Sequence, residues 1–211
     1  MVLRLAAALV WMVALGSPAR AQILEFESGG LKYKALSHNG VTVMFAPLPM
    51  RVHDFSVIQV SVSNGSPIAW TIKPEDFQID YDGISAQCWS AESVIHLMIQ
   101  SGSHSDVKKL MSTYEAALYG MPNVHSTNGF ESRRQNALAD GGSAKIKAAA
   151  AASAIVLVTT KLAPGQSTDG AVFYKINSKT VDSKLAGTGK LVAHLAAEVF
   201  EFPFDEAKVV K

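Results

Sequence analysis

The sequence predicts a mainly β chain carrying an α-helical insertion, with the strands forming an antiparallel sandwich of two sheets. Three observations predict it. Period-two alternation of apolar and polar residues recurs at both ends of the chain, turn dipeptides punctuate those stretches, and the middle switches to helical spacing. Strand and helix do not alternate along the chain, so a parallel α/β sheet is not expected.

Arg4, the apolar run Leu5 to Leu15, Gly16-Ser17-Pro18 and Ala19-Arg20-Ala21 read as a secretory signal peptide over residues 1–21. The apolar run is too short to span a bilayer of ~30 Å. Cleavage between Ala21 and Gln22 is expected to deliver the chain to the periplasm or the exterior. No Cys stands at the cut to accept a lipid, so no stable membrane anchor is expected.

Loss of Arg4 and Arg20 takes the 19 Lys and Arg to 17 against 18 Asp and Glu, a balance of −1 with His neutral. So even a balance gives no electrostatic footprint for nucleic acid. Cys88 is the single cysteine, which rules out an internal disulfide and with it the small disulfide-stapled scaffolds. Stability must come from burial, for which ~190 residues suffice.

Leu31, Tyr33 and Ala35 alternate with Lys32 and Lys34 before the Asn39-Gly40 turn, and Val41 to Ala46 follows, closed by Pro47 and Pro49. The pair reads as a hairpin. Ile58, Val60 and Val62 oppose Gln59, Ser61 and Ser63, and the stretch ends at Asn64-Gly65. Ile68, Trp70 and Ile72 repeat the pattern. Beyond Pro74, Phe77, Ile79 and Tyr81 oppose Gln78, Asp80 and Asp82, and Asp82-Gly83 ends the run. Each of these strands is expected to keep one wet face.

Residues 89–161 differ in character. Ser90 is a plausible N-cap for a short helix through Met98, broken near Gly102. Ser103 and Asp106 have capping-box spacing ahead of Val107, Leu110, Met111, Tyr114 and Leu118, an apolar stripe at helical spacing ending at Gly120. Phe130 to Ala139 is read as a further helical stretch. Lys145 to Ala154 contains five consecutive alanines of high helix propensity. Strands return after Ala163-Pro164-Gly165: Val172, Tyr174 and Ile176, then Leu191, Ala193 and Leu195, then Phe200, Phe202 and Phe204, each alternating with its neighbours. The organisation expected is a frame of residues 22–88 and 162–211 with residues 89–161 inserted.

Several segments of that frame carry a family resemblance. Ser61-Val62-Ser63-Asn64 with Pro74-Glu75-Asp76-Phe77, Leu162-Ala163-Pro164-Gly165-Gln166-Ser167 leading to Gly170-Ala171-Val172-Phe173-Tyr174, and the closing Glu198 to Phe204 resemble the immunoglobulin-like domains of unknown function in bacterial secreted proteins. The resemblance covers about half of the chain beyond the signal segment. It implies an immunoglobulin-like sandwich and no reaction.

Two chemistries are weighed against a non-catalytic module. Cys88 with His96 would make a thiol nucleophile and its base, but no third orienting group is evident, and a lone cysteine on a strand is far more often a small buried hydrophobe. His96, Met98, His104, Met111, Met121 and His125, with Cys88, offer soft ligands suited to copper, yet lack the close pairs of dedicated sites. Asp80-Tyr81-Asp82-Gly83 shares only the start of a calcium loop. Pro164-Gly165-Gln166-Ser167 is a turn without the Lys of a phosphate loop. His38, His53 and His194 are expected to satisfy local hydrogen bonds.

The reading is therefore a secreted or periplasmic binding or structural module without cofactor or metal, partnered by a protein or envelope component. Function is expected on the insertion, with Val107, Leu110, Met111, Tyr114 and Leu118 as the interaction stripe. The competing expectation for that stripe is an extra layer packed on the outer face of one sheet.

Overall fold

The computed structural model describes residues 22–81, 84–119, 142–175 and 189–204. Its strands are β1 (Leu24–Ser28), β2 (Leu31–His38), β3 (Val41–Val52), β4 (Phe55–Asn64), β5 (Trp70–Ile72), β6 (Phe77–Tyr81), β7 (Ile84–Gln87), β8 (Thr160–Leu162), β9 (Ser167–Tyr174), β10 (Gly189–Leu195) and β11 (Glu198–Phe204). Three helices are described, α1 (Ala91–Ser101), α2 (His104–Tyr119) and α3 (Ala144–Ile155). The chain is mainly antiparallel β with helices between β7 and β8. The stretch 130–139, read as helical, lies outside the described residues, as do Ile176, Asp82 and Gly83.

A five-stranded sheet runs in the order β1-β2-β3-β4-β9 and a four-stranded sheet in the order β11-β10-β6-β7, with β5 and β8 paired separately. Every ladder between named strands is antiparallel. The two larger sheets share a core in which Val43, Phe45, Val60 and Val172 meet Phe77, Ile79, Leu191 and Phe202. Phe45 and Phe202 touch edge to face at 5.0 Å across it. Tight turns set the hairpin registers: Asn39 and Gly40 both have positive φ, 48° and 79°, as a two-residue reversal between right-twisted strands demands.

β3 does not stop at Pro47. It continues to Val52, and its pairing with β4 shifts register between Pro47 and Arg51. A bulge of this kind accommodates residues whose missing N–H would break a regular ladder. Of the pattern beginning at Ile68, only Trp70–Ile72 forms a strand, and Ile68 stands exposed.

The expectation of one wet face fails for the central strands. Gln59 and Ser61, opposed to Ile58, Val60 and Val62, are 0% and 2% exposed. The reason is a third layer. On the face away from the small sheet, Tyr33, Leu48, Met50, Val52, Val57 and Phe173 form a second core with Val94, Met98, Leu110 and Met111 of α1 and α2 and the alanines of α3. Poly-alanine suits that position: Ala148, Ala151, Ala152 and Ala154 are all buried, and their small side chains let α3 lie close to its neighbours.

Local signals set the helix ends. Ser90 accepts from the Ser93 N–H to cap α1, and Gly102 ends it. A Cβ at Gly102 would fall 2.5 Å from the Ala148 Cβ, so only glycine lets α1 end against α3. Ser103 and Asp106 form the expected reciprocal cap of α2: the Asp106 carboxylate accepts from the Ser103 N–H at 2.9 Å, and the Ser103 Oγ faces the Asp106 N–H at 3.3 Å.

Candidate functional site

Leu110 and Met111 of the apolar stripe are buried in the core between α2 and the large sheet, and Val107 packs at its margin. They are packing residues there, and burial takes Leu110 and Met111 out of any contact surface. The side chains of Tyr114 and Leu118 lie outside the described residues.

The structure does not bring Cys88 and His96 together. Cys88 is buried in the core between the sheets, where burial pushes its thiol far above the ordinary range and away from the nucleophilic thiolate. His96 is on the outer face of α1, its Nε2 3.5 Å from the Gln100 Nε2. Among the metal candidates, Met98 and Met111 are in the helix-side core, His104 is exposed at the start of α2, and Met121 and His125 lie outside the described residues. Among the described residues no three His, Cys, Asp or Glu converge. Asp80 accepts from the Gln78 side chain on β6 at 2.9 Å.

Polar and aromatic groups do gather where the β3–β4 hairpin tip meets the helical layer. His53 and Asp54 form its two-residue turn, and His53 has φ of 54°, a conformation better suited to Asn or Gly. The His53 Nε2 lies 3.5 Å from the Asp106 carboxylate, tying the turn to the start of α2. Asp54 accepts from the Lys175 Nζ at 2.8 Å, tying the same turn to the end of β9. Hydrogen bonding and charge from Lys175 hold the Asp54 carboxyl below its ordinary range, with smaller help from His53 and Arg51. The Lys175 ammonium also lies 5.9 Å from the Phe55 ring centroid. Phe55 in turn meets Trp89 edge to face at 4.4 Å.

Trp89 is placed by the residues on either side of it. Its N–H donates to the Phe173 carbonyl at 2.8 Å, and Ser90 next to it caps α1. The indole is held where strand frame becomes helix, 36% exposed. The result is a surface with one partly exposed aromatic face and a neighbouring cation, carboxylate and imidazole. What such a surface has to offer is stacking and hydrogen bonding.

Ser103, Asp106 and His53 have the residue types of a hydrolytic triad without its order. The Ser103 Oγ donates to the Asp106 carboxylate at 2.7 Å, and that same oxygen faces His53. A triad needs the imidazole between the hydroxyl and the carboxylate. Here the carboxylate stands between the other two, so the set caps a helix and fastens a turn. The Ser103–Asp106 half was legible in the sequence, but His53, expected to satisfy a local hydrogen bond, instead faces the carboxylate of Asp106, far along the chain.

At the opposite end of the sheets, the Glu198 side chain receives His38 and the Asn39 Nδ2, the latter at 2.6 Å, joining the β2–β3 turn to the start of β11. These bonds hold the Glu198 carboxyl below its ordinary range. Asn64, Ser66 and Trp70 form a buried network in which the indole N–H donates to the Ser66 Oγ at 2.8 Å and Asn64 reaches the Ile68 and Leu162 carbonyls. Both arrangements join chain segments, the first at the surface and the second in the interior.

No described helix is long and apolar enough to cross a membrane. No family model matches the chain, and no curated protein matches it. Two solved structures are similar to it. The yjhA protein from Bacillus subtilis has 10% identity and a TM-score of 0.35, over 86% of this chain and 96% of that one. A functionally unknown protein from Listeria monocytogenes EGD-e has 8% identity and a TM-score of 0.34, over 89% of each chain.

Proposed function

We propose that the chain is a non-catalytic binding module working outside the cytoplasm, and that it meets its partner, a protein or envelope component, through the junction formed by His53, Asp54, Trp89 and Lys175. The observation that carries this reading is the partly exposed Trp89, fixed by its backbone bond to Phe173 and by its ring contact with Phe55. A bulky aromatic held rigidly at the surface costs little conformational entropy on binding, which is why such residues anchor interfaces. The side chains best suited to chemistry support the reading through what already occupies them. Cys88 packs between the sheets, and Asp106 and Ser103 cap α2.

The frame is read as an immunoglobulin-like sandwich, with the antiparallel pairing and the shared core between its sheets in support. Residues 1–21 support export, and intact mass of exported material should place the first residue at Gln22.

Crosslinking in the producing cell's envelope tests the contact surface. A photoreactive residue at position 89 should give a discrete adduct, and one at position 68, at the other end of β4 and also exposed, should not. No adduct at position 89, or the same adducts from both positions, would overturn the assignment.

A further inference from the structure

The two edges of the five-stranded sheet are treated differently. β9 is sealed: Trp89 donates to the Phe173 carbonyl, Leu157 donates to the Ala171 carbonyl at 2.9 Å, and Val156 bridges to Ala171 in parallel. β1 pairs with β2 on one side and, among the described residues, with nothing on the other. It is also uncovered, with Leu24 63% exposed and no residue of the strand fully buried. An open edge is a template for another strand unless its side chains forbid it.

The side chains of β1 select rather than forbid. Glu25 stands opposite Lys34, with an ion pair of 2.9 Å, and Glu27 stands opposite Lys32. On the alternate face Phe26 stacks on Tyr33, centroids 5.2 Å apart, and Leu24 stands opposite Ala35. Both flanks of a strand lie ~4.8 Å from their neighbours and see the same alternation of side chains. A strand added on the open flank therefore meets the chemistry that β2 meets on the closed one. β2 shows what fits: apolar residues alternating with lysines.

A second copy of this chain does not fit. An antiparallel pair of β1 strands about a twofold axis keeps like faces together, so in the register that pairs the whole strand Glu25 of each copy would oppose Glu27 of the other, and like charges directly opposite are destabilising.

We propose that the open edge of β1 takes up an extended segment of another chain in which apolar and basic residues alternate. Backbone pairing supplies attachment, and Glu25 and Glu27 supply selection. This surface is separate from the Trp89 junction and does not depend on it.

A fluorescent peptide with the sequence of residues 31–38 is the probe, titrated into the purified chain at low salt. Two further peptides accompany it, one with glutamate at both lysine positions and one N-methylated at alternate residues. The lysine peptide should bind at least ~10-fold more tightly than either, and hydrogen-exchange protection should rise in β1. The double variant Glu25→Gln, Glu27→Gln should remove the preference for lysine over glutamate while melting as a folded protein. Equal binding of the lysine and glutamate peptides, unimpaired binding of the N-methylated one, protection gained elsewhere, or no binding would each overturn the proposal. If the double variant does not fold, the peptide comparison on the unaltered chain still decides.

Discussion

Joining Cys88 directly to Leu162 through a short Gly/Ser linker removes the helical layer, and the outcome follows from what that layer covers. The ends of the segment are close, since Trp89 and Leu157 bond to carbonyls two residues apart on β9, so the linker itself imposes little strain. Most of the cost lies on the sheet face, with the loss of Leu157 from the core between the sheets and of two residues of β8 added to it. Tyr33, Leu48, Met50, Val52, Val57 and Phe173 are each 5% exposed or less and would be uncovered together with smaller neighbours. At roughly 1.5–3 kcal/mol per large apolar side chain, the loss is on the order of 10 kcal/mol, comparable to the whole stability of a typical domain. The shortened chain should therefore aggregate or lose cooperative unfolding, read by size-exclusion chromatography and urea titration followed by near-UV circular dichroism. Leu110→Ala is the milder form of the same perturbation and should cost about 2–5 kcal/mol in the urea titration. A monomeric shortened chain that unfolds cooperatively would refute the reasoning and show that the strands stand as a frame without the helices.

Burial raises the Tyr33 phenol to about 12, so the stability it contributes is full below its unfolded value near 10 and is lost as pH rises toward 12. Between pH 9 and pH 11 the unfolding free energy from urea titration should fall further for the native chain than for Tyr33→Phe, by about 1.4 kcal/mol, and an equal fall in both would exclude Tyr33 as the cause. Ala196, in the β10–β11 turn, has φ of 52°, a left-handed conformation that costs a residue with a Cβ about 1 kcal/mol. Ala196→Gly should raise the melting temperature by a few degrees at most, and a lower melting temperature would count against strain at that position. Cys88 should resist a maleimide in the folded chain and react after denaturation; fast labelling at neutral pH would revive the thiol as a nucleophile.

Alternation in β4, β6 and β10 was legible because each has at least one face in the core between the sheets, in β2 because Leu31 and Tyr33 face the helix-side core, and the cap Ser103–Asp106 because its spacing is local. What the helices cover was not legible. Gln59 and Ser61 read as water-facing since they are polar, yet α-helices bury that face, and only tertiary placement distinguishes the two situations. β7 escaped notice because Ile84–Gln87 is short and mostly exposed, leaving burial no pattern to impose. The junction was hidden for a different reason: His53, Asp54, Trp89, Asp106 and Lys175 come from four separate stretches of chain. Contacts that distant leave no spacing to read.

Gly170 explains why the helical layer and the surface residues belong to one arrangement. A Cβ there would fall 2.4 Å from the Leu157 Cα, so glycine is what lets the backbone returning from α3 cross β9 closely enough for Leu157 to bond to Ala171. That crossing and the Trp89 bond to Phe173 together close one edge of the sheet, and the same bond holds the indole at the surface. The helices thus have consequences at both sides of the large sheet. The residues flanking them seal β9 and position the aromatic junction there, while β1, at the far side, is among the described residues the edge of that sheet still open to pairing. A bulky residue at position 170 would act on the sealed edge and the junction together, while β1, at the opposite edge with three strands between, would keep its pairing with β2.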